Sequence, residues 1–358
     1  MHCIIMAGGA GTRFWPASRR HIPKQLLDIT GRGPMVVETC RRLAPLARDE
    51  ELTLVISREH EEETRRLFPG REVQIVSEPV GRNTAPCIGL GALYAEHAGA
   101  KGAIAFLPAD HFIFNTGAFL RALGQAASLA ESGTIVTLGI VPNRPDTGYG
   151  YIRRDQENID AEETPAYRVS AFVEKPDLAT AKHYLTQGDY LWNAGIFVAT
   201  PEVILSEIKI HLPDLHKGLE RLKSSIHTSD FEREIEVVYG QIASVSFDYG
   251  IMEKTKYPLM VVPCECGWSD VGSWASLYDL RREEQDERGN LSEGDSLLID
   301  CEGSFVSSGS GKFVACLGLK NCLVVDTPDA LLVADLDKSQ EVRKITEALK
   351  NTKREKLL

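Results

Sequence analysis

Residues 3–25 read CIIMAGGAGTRFWPASRRHIPKQ: a short apolar strand, Cys3–Met6, runs into a loop with three glycines in four residues, Gly8, Gly9 and Gly11. The rest of the first half keeps up the same alternation. Further apolar runs occur at Leu52–Ile56, Val73–Val76, Ala103–Leu107 and Ile135–Ile140, with helical patterns between them at Met35–Ala47, His60–Leu67, Thr84–His97 and Gly117–Glu131. This alternation predicts right-handed βαβ units: an α/β, Rossmann-like fold with a mostly parallel or mixed sheet flanked by helices. Ligands of such sheets bind beyond the carboxyl ends of the strands, so the loops that follow strands are where chemistry is expected.

The loop after the first strand meets that expectation. Clustered glycines let backbone N–H groups approach an anion closely. No Asp or Glu occurs before Asp28, while Arg13, Arg19, Arg20 and Lys24 supply four cations. Pro16 and Pro23 restrict the loop and lower the entropy cost of ordering it around a ligand. The pattern is neither a P-loop nor a dinucleotide fingerprint. On an acidic protein it is a local basic island, suited to a small anionic substrate.

Two acidic residues follow in comparable settings. Asp110, in FLPADH (106–111), comes just after a buried strand; alone it would read as a turn cap. Asp270, in CGWSDVGSW (266–274), sits in a glycine-flanked turn before a helix starting near Ser273; alone it would read as a helix cap. Together they could hold one Mg²⁺, which prefers one or two carboxylates plus phosphate oxygens. Three further segments mix polar and small residues as a sugar site requires: DTGYGY (146–151), FVEKP (172–176) and LWNAGIF (191–197). All four tryptophans, Trp15, Trp192, Trp268 and Trp274, fall in the segments named so far, which suggests pocket walls.

Beyond Gly148 the rhythm changes to antiparallel-looking strands (Gly150–Arg153, Arg168–Val173, Gly195–Ala199) among helices at Leu178–Thr186, Glu202–Ile210 and Asp214–Ser224. The polar stretch Arg221–Glu236 reads as a helical surface insert. From Leu297 short strands recur (Leu297–Asp300, Ser304–Val306, Phe313–Cys316, Cys322–Val325, Leu331–Ala334), mostly at nine-residue spacing. They form a small all-β unit, either a few turns of β-helix or a compact roll. A final helix, Ser339–Thr352, presents Val342, Ile345 and Leu349 on one face. The expected division is a catalytic domain over 1–286 and a β-rich tail over 287–358.

Composition narrows the function. A length of 358 residues and a net charge of −11 fit a globular protein of about two domains and disfavour general nucleic-acid or anionic-membrane binding. Eight scattered cysteines suggest free thiols in a reducing, cytoplasmic setting rather than a disulfide framework. No apolar run has the length of a membrane span.

Taken together, these motifs resemble the sugar-1-phosphate nucleotidylyltransferases, and among them the mannose-1-phosphate guanylyltransferases. The resemblance rests on GGAGTRFWPASRRHIPKQ (8–25), SEPVGRNTAP (77–86), LPADH (107–111), FVEKP (172–176), WNAGIF (192–197), FDYGIMEK (247–254) and GWSDVGSW (267–274), in the family's order. It implies that a phosphate oxygen of mannose 1-phosphate attacks the α-phosphorus of GTP in line, giving GDP-mannose and pyrophosphate. The implied catalytic residues are Arg13, Lys24, Asp110 and Asp270, the last two holding Mg²⁺. Gly8, Gly9, Gly11 and Thr12 would bind the nucleotide's phosphates, and Glu78, Asn83 and Thr84 lie where guanine should be read. Gly148, Glu174, Lys175, Asn193 and Gly195 would line the mannose site. The tail resembles a left-handed β-helix that can mediate a homodimer. Only about 70 residues follow the core, with no histidine after His227, so the cupin isomerase domain of longer relatives is not expected. The alternatives are the same chemistry with another hexose 1-phosphate or NTP, and a non-catalytic nucleotide-sugar sensor.

Overall fold

A computed structural model describes residues 1–9, 11–160 and 165–358. Ala10, inside the glycine loop expected to hold phosphates, lies outside the described residues. Strands β1 (His2–Ala7), β2 (Leu52–Ser57), β3 (Gln74–Glu78), β4 (Ile104–Pro108), β5 (Phe112–Ile113), β6 (Ile135–Ile140), β7 (Tyr151–Asp160), β8 (Ala166–Val173), β9 (Tyr190–Ala199), β10 (Leu259–Pro263) and β11 (Trp268–Ser269) come first in the chain. The tail supplies β12 (Leu291–Glu293), β13 (Ser296–Ile299), β14 (Phe305–Ser308), β15 (Val314–Leu317), β16 (Cys322–Asp326) and β17 (Leu331–Asp335).

The chain divides into two compact units. The first comprises Met1–Gly8, Thr39–Ala109 and Ile113–Trp268; the second comprises Gly9–Glu38, Asp110–Phe112 and Ser269–Leu358. From Gly9 onward the glycine loop therefore belongs to the same unit as the β tail, although nearly the whole sequence separates them.

The first unit is built on a nine-stranded sheet of order β3-β2-β1-β4-β9-β6-β10-β8-β7. Strands β3, β2, β1 and β4 are parallel neighbours, β9 runs antiparallel to both β4 and β6, and β6 is parallel to β10. The sheet is mixed, but its parallel members all point one way, so their carboxyl ends share an edge. The helix Thr84–His97 is buried along most of its length, with Ile88, Leu90 and Leu93 in the core, as expected for a helix apolar on every side.

Two expectations need correction. The stretch Arg221–Glu236 is not a surface insert. It contains the end of one helix and the start of another, Phe231–Gln241, whose Phe231, Ile235, Val238 and Tyr239 are buried in the core. Those residues recur at helical spacing among charges that dominate the composition, and spacing, not composition, decides burial. The first helix ends at Leu43 rather than Ala47, because Pro45 disfavours helical backbone at the residue before it.

In the second unit the tail is a β-helix, not a roll. Residues eighteen apart pair in parallel, Phe305 with Leu323 and Ser296 with Val314, in two sheets, and β17 closes one of them antiparallel to β16. The nine-residue spacing in the sequence is half of one coil. A core of Phe14, Trp15, Trp274, Phe305, Leu323 and Val342, with Ile345 and Leu349 packed on it, joins the tail to the glycine loop within this unit.

Candidate active site

The second unit holds a pocket of about 280 Å³ lined by Gly11, Thr12, Arg13, Phe14, Lys24, Asp110, His111, Asp270 and Gly272. Gly11 adopts a left-handed backbone, φ 59°, and a Cβ there would fall 2.5 Å from the Lys24 backbone nitrogen. Only glycine allows the loop to fold this tightly over the lysine. Its carbonyl accepts from the Phe14 N–H at 3.1 Å and from the Ser18 hydroxyl at 2.7 Å, which fixes the turn carrying Thr12 and Arg13.

Lys24 organises the pocket. Its side chain is buried, and its Nζ donates to Asp110 Oδ2 at 2.8 Å, to the Asp110 carbonyl at 3.0 Å and to the Asp270 carbonyl at 2.6 Å. Burial pushes the Asp110 carboxyl up, but the Lys24 ammonium, with help from His111, outweighs it and holds the carboxyl below its ordinary range. Arg13 is exposed and donates to the Gly272 carbonyl at 3.2 Å. Between Asp270 and Gly272, the fully buried Val271 has φ 43°. A β-branched residue is strained in that region, and such strain gathers at functional sites. The capping role that Asp270 could have had belongs to Ser273, whose hydroxyl accepts from the Ser276 N–H. Two carboxylates beside a pocket of phosphate size are a suitable donor set for a hard divalent cation that completes its shell with phosphate oxygens.

The basic island is smaller than its sequence suggests. Arg19 pairs with Asp329 at 2.7 Å and does not line the pocket. Of the four cations, Arg13 and Lys24 line it. The tryptophan reading is also corrected. Trp15 and Trp274 are core residues of the second unit; in the first unit Trp192, equally buried, and the half-buried Trp268 flank the Tyr149 ring at 5.0 and 5.3 Å, and neither lines the pocket described above.

The first unit gathers the sugar-type residues. Gly150 passes so close to Glu174 Oε2 that any side chain at 150 would collide with it, and the Gly150 carbonyl accepts from the Asn193 N–H at 2.8 Å. Glu174 pairs with Lys175 through Oε1 at 2.9 Å, while its Oε2 is buried with no hydrogen-bond partner among the described residues. Such an orphaned acceptor costs stability unless a ligand donor satisfies it. Lys175 (φ 48°) and Gly195 (φ 64°) both have left-handed backbones. Asn193 Oδ1 accepts from the Gly195 N–H at 3.0 Å, and its Nδ2 donates to Asp248 Oδ1 at 2.7 Å. Gly148 is exposed and donates its N–H to Asp146 at 2.8 Å. Asp248 has no role assigned from the sequence, although FDYGIMEK contains it. Burial and the nearby Glu174 charge raise its carboxyl to about 6, against the opposing pull of Asn193 and Lys175.

Glu78 ends β3, buried, and accepts from the Tyr239 hydroxyl at 2.9 Å. Burial lifts its carboxyl to about 7. A Cβ on Gly8 would come within 3.2 Å of its Oε2. Asn83 and Thr84 have structural work: the Asn83 side chain caps the helix at the Thr84 N–H, 2.8 Å, and the Thr84 hydroxyl accepts from the Phe247 N–H at 2.8 Å. Tyr239 carries no local signal of this partnership, since it lies 161 residues from Glu78.

Residues 2–287 match the family model described as nucleotidyl transferase, and residues 294–349 match the MannoseP isomerase/GMP-like beta-helix domain. The chain is 40% identical over 355 residues to a mannose-1-phosphate guanylyltransferase of Klebsiella pneumoniae, covering 98% of this chain and 74% of that protein. A mannose-1-phosphate guanylyltransferase of Escherichia coli matches with the same identity and coverage. Among solved structures, a Thermus thermophilus protein described as a mannose-1-phosphate geranyltransferase is 35% identical, with a TM-score of 0.86 over 98% of this chain and 99% of that one.

Proposed function

Because the chain belongs to the nucleotidyl transferase family, among its mannose-1-phosphate guanylyltransferases, we infer that it transfers GMP from GTP to mannose 1-phosphate, giving GDP-mannose and pyrophosphate. A phosphate oxygen of the sugar phosphate attacks the α-phosphorus in line. Such transfers need little covalent help and depend on positioning and charge neutralisation. The observation that best supports this reading is the Lys24 clasp, an ammonium held by three protein oxygens beside two aspartates and Arg13.

In this reading the backbone of Gly8, Gly9 and Gly11, with Thr12 and Arg13, binds the triphosphate, and Arg13 stabilises departing pyrophosphate. Lys24 bridges the reacting phosphates. Asp110 and Asp270 would hold Mg²⁺, which when bound supplies charge neutralisation at the phosphate oxygens. Glu78, Asn83 and Thr84 belong to the guanine-reading segment. Gly148, Glu174, Lys175, Asn193 and Gly195 line the mannose site, where the unpartnered Glu174 Oε2 accepts from a sugar hydroxyl.

The proposed division falls between a catalytic domain, 1–286, and the β tail, 287–358. A homodimer is proposed through that tail, whose outward Leu297, Ile299 and Leu317 are exposed. The proposed location is the cytoplasm, in keeping with eight free cysteines and a reducing compartment. No helix among the described residues is long and apolar enough to cross a membrane.

A pyrophosphate-release panel tests the reaction: each NTP against mannose, glucose and fucose 1-phosphates, with and without Mg²⁺. The expected result is Mg²⁺-dependent turnover that is highest with GTP and mannose 1-phosphate. Preference for another pair would overturn the substrate assignment, and no turnover with any pair would favour a sensor.

A further inference from the structure

The first unit has another pocket, next to the sugar-type residues: Phe172, two residues before Glu174, lines it. Its volume is about 650 Å³ against about 280 Å³ for the phosphate pocket, within the range of roughly 300–1,000 Å³ common for small-molecule sites. Thr134, Leu259 and Met260 line it, so it opens where β6 and β10 begin. Asn193, by contrast, pairs with Gly139 near the far end of β6.

The lining has a definite chemistry. Arg168 and Lys256 are exposed cations, and neither joins an ion pair among the described residues. Ser170 and Tyr257 bring hydroxyls, and Asp155 and Glu253 bring carboxylates. Two cations match one phosphate dianion, with arginine able to grip it through paired N–H groups. Carboxylates and hydroxyls match the hydroxyls of a sugar.

Glu253 also connects this pocket to the mannose-type residues. Its Oε1 accepts from the Glu174 N–H at 3.0 Å, and its own N–H donates to the Asp248 carbonyl at 3.0 Å. One side chain thus lines this pocket and fixes the backbone of the residue that presents the unpartnered carboxylate oxygen.

We propose that this pocket is a second ligand site for a hexose phosphate, separate from the acceptor site, and that its occupancy weakens acceptor binding through the Glu253–Glu174 hydrogen bond. The ligand's phosphate sits between Arg168 and Lys256. A ligand hydroxyl donating to Glu253 draws the carboxylate into the pocket and away from the Glu174 N–H, which loosens the turn that presents Glu174.

Glucose 6-phosphate is a suitable probe, because its phosphate is not on the anomeric carbon. Isothermal titration calorimetry of the full chain saturated with GDP-mannose, which fills the substrate subsites, should show saturable binding. An R168A/K256A double variant should weaken that binding about tenfold or more, the scale of losing charge-assisted hydrogen bonds, while leaving turnover without the probe unchanged. In wild-type kinetics the probe should raise KM for mannose 1-phosphate about fivefold, the lower end of allosteric coupling, with kcat nearly constant, and should do nothing to the double variant. Absent binding to the GDP-mannose-saturated protein, binding undiminished in the double variant, or an unchanged KM would each overturn the proposal.

Discussion

The pocket around Lys24 and the cluster around Glu174 both set a lysine beside carboxylates, and they settle the charge differently. Lys24 is buried, its side chain 6% exposed, and its ammonium meets Asp110 directly, so that carboxyl stays below its ordinary range. Lys175 is 54% exposed and pairs with Glu174. Asp248, buried against the Glu174 charge, rises to about 6. An ammonium brought to a half-buried carboxylate offsets burial and favours the ionised form; where the lysine stays in water, burial is less offset and the carboxyl holds its proton more tightly. The first arrangement suits binding of phosphates and a cation, which needs constant charge. The second suits hydroxyl recognition, which needs acceptors.

The largest expected effect removes the compensation. Lys24→Ala should lower kcat/KM by about a thousandfold, the scale for losing a central electrostatic group, as read by pyrophosphate release. A loss below about tenfold would erase the contrast between the two lysines. Next comes Gly150→Ala, whose methyl would collide with Glu174 Oε2. KM for mannose 1-phosphate should rise about tenfold or more, the cost of displacing a positioning group, with kcat less affected. An unchanged KM would separate Glu174 from sugar binding.

A smaller effect concerns pH. Burial raises Asp248 to about 6 and Glu78 to about 7 in the folded chain, above the ordinary carboxyl values of about 4 in the unfolded one. The folded state therefore binds these protons more tightly. The penalty of burying the two charges is fully present above about pH 7 and is relieved as pH falls towards about 4. The urea midpoint of the wild type should accordingly gain, between about pH 7.5 and pH 5.5, relative to an E78Q/D248N variant. Parallel profiles would contradict the assignment. The smallest effect is expected for Arg19→Ala. Its ion pair with Asp329 is partly exposed, so stability should change by about 1 kcal/mol or less and turnover should stay at the wild-type level. A large loss of turnover would return Arg19 to the phosphate site.

The same contrast marks how much could be read from the sequence. The βα rhythm and the glycine loop are local patterns, and the strands formed close to where apolar runs placed them. Partnerships across the chain left no such trace. Four cations close together in sequence resembled one basic island, but Arg19 is engaged by Asp329, 310 residues away. The bond from Lys24 to Asp110 spans 86 residues, and nothing near either residue announces it. Asp248 lies in a recognisable motif, yet its importance comes from burial against Glu174 and Asn193, which local sequence does not encode. In the tail the strand spacing was visible, but not that alternate strands stack, because parallel pairing is set by the closing of each coil.

The central claim is that the pocket around Lys24 carries out nucleotidyl transfer with Asp110 and Asp270 as its acidic pair. Asp270→Asn keeps the side chain's size and removes its charge. Pyrophosphate release from GTP and mannose 1-phosphate with saturating Mg²⁺ should fall by at least about a hundredfold. Turnover within about threefold of the wild type, far short of the loss expected for such a group, would contradict the account.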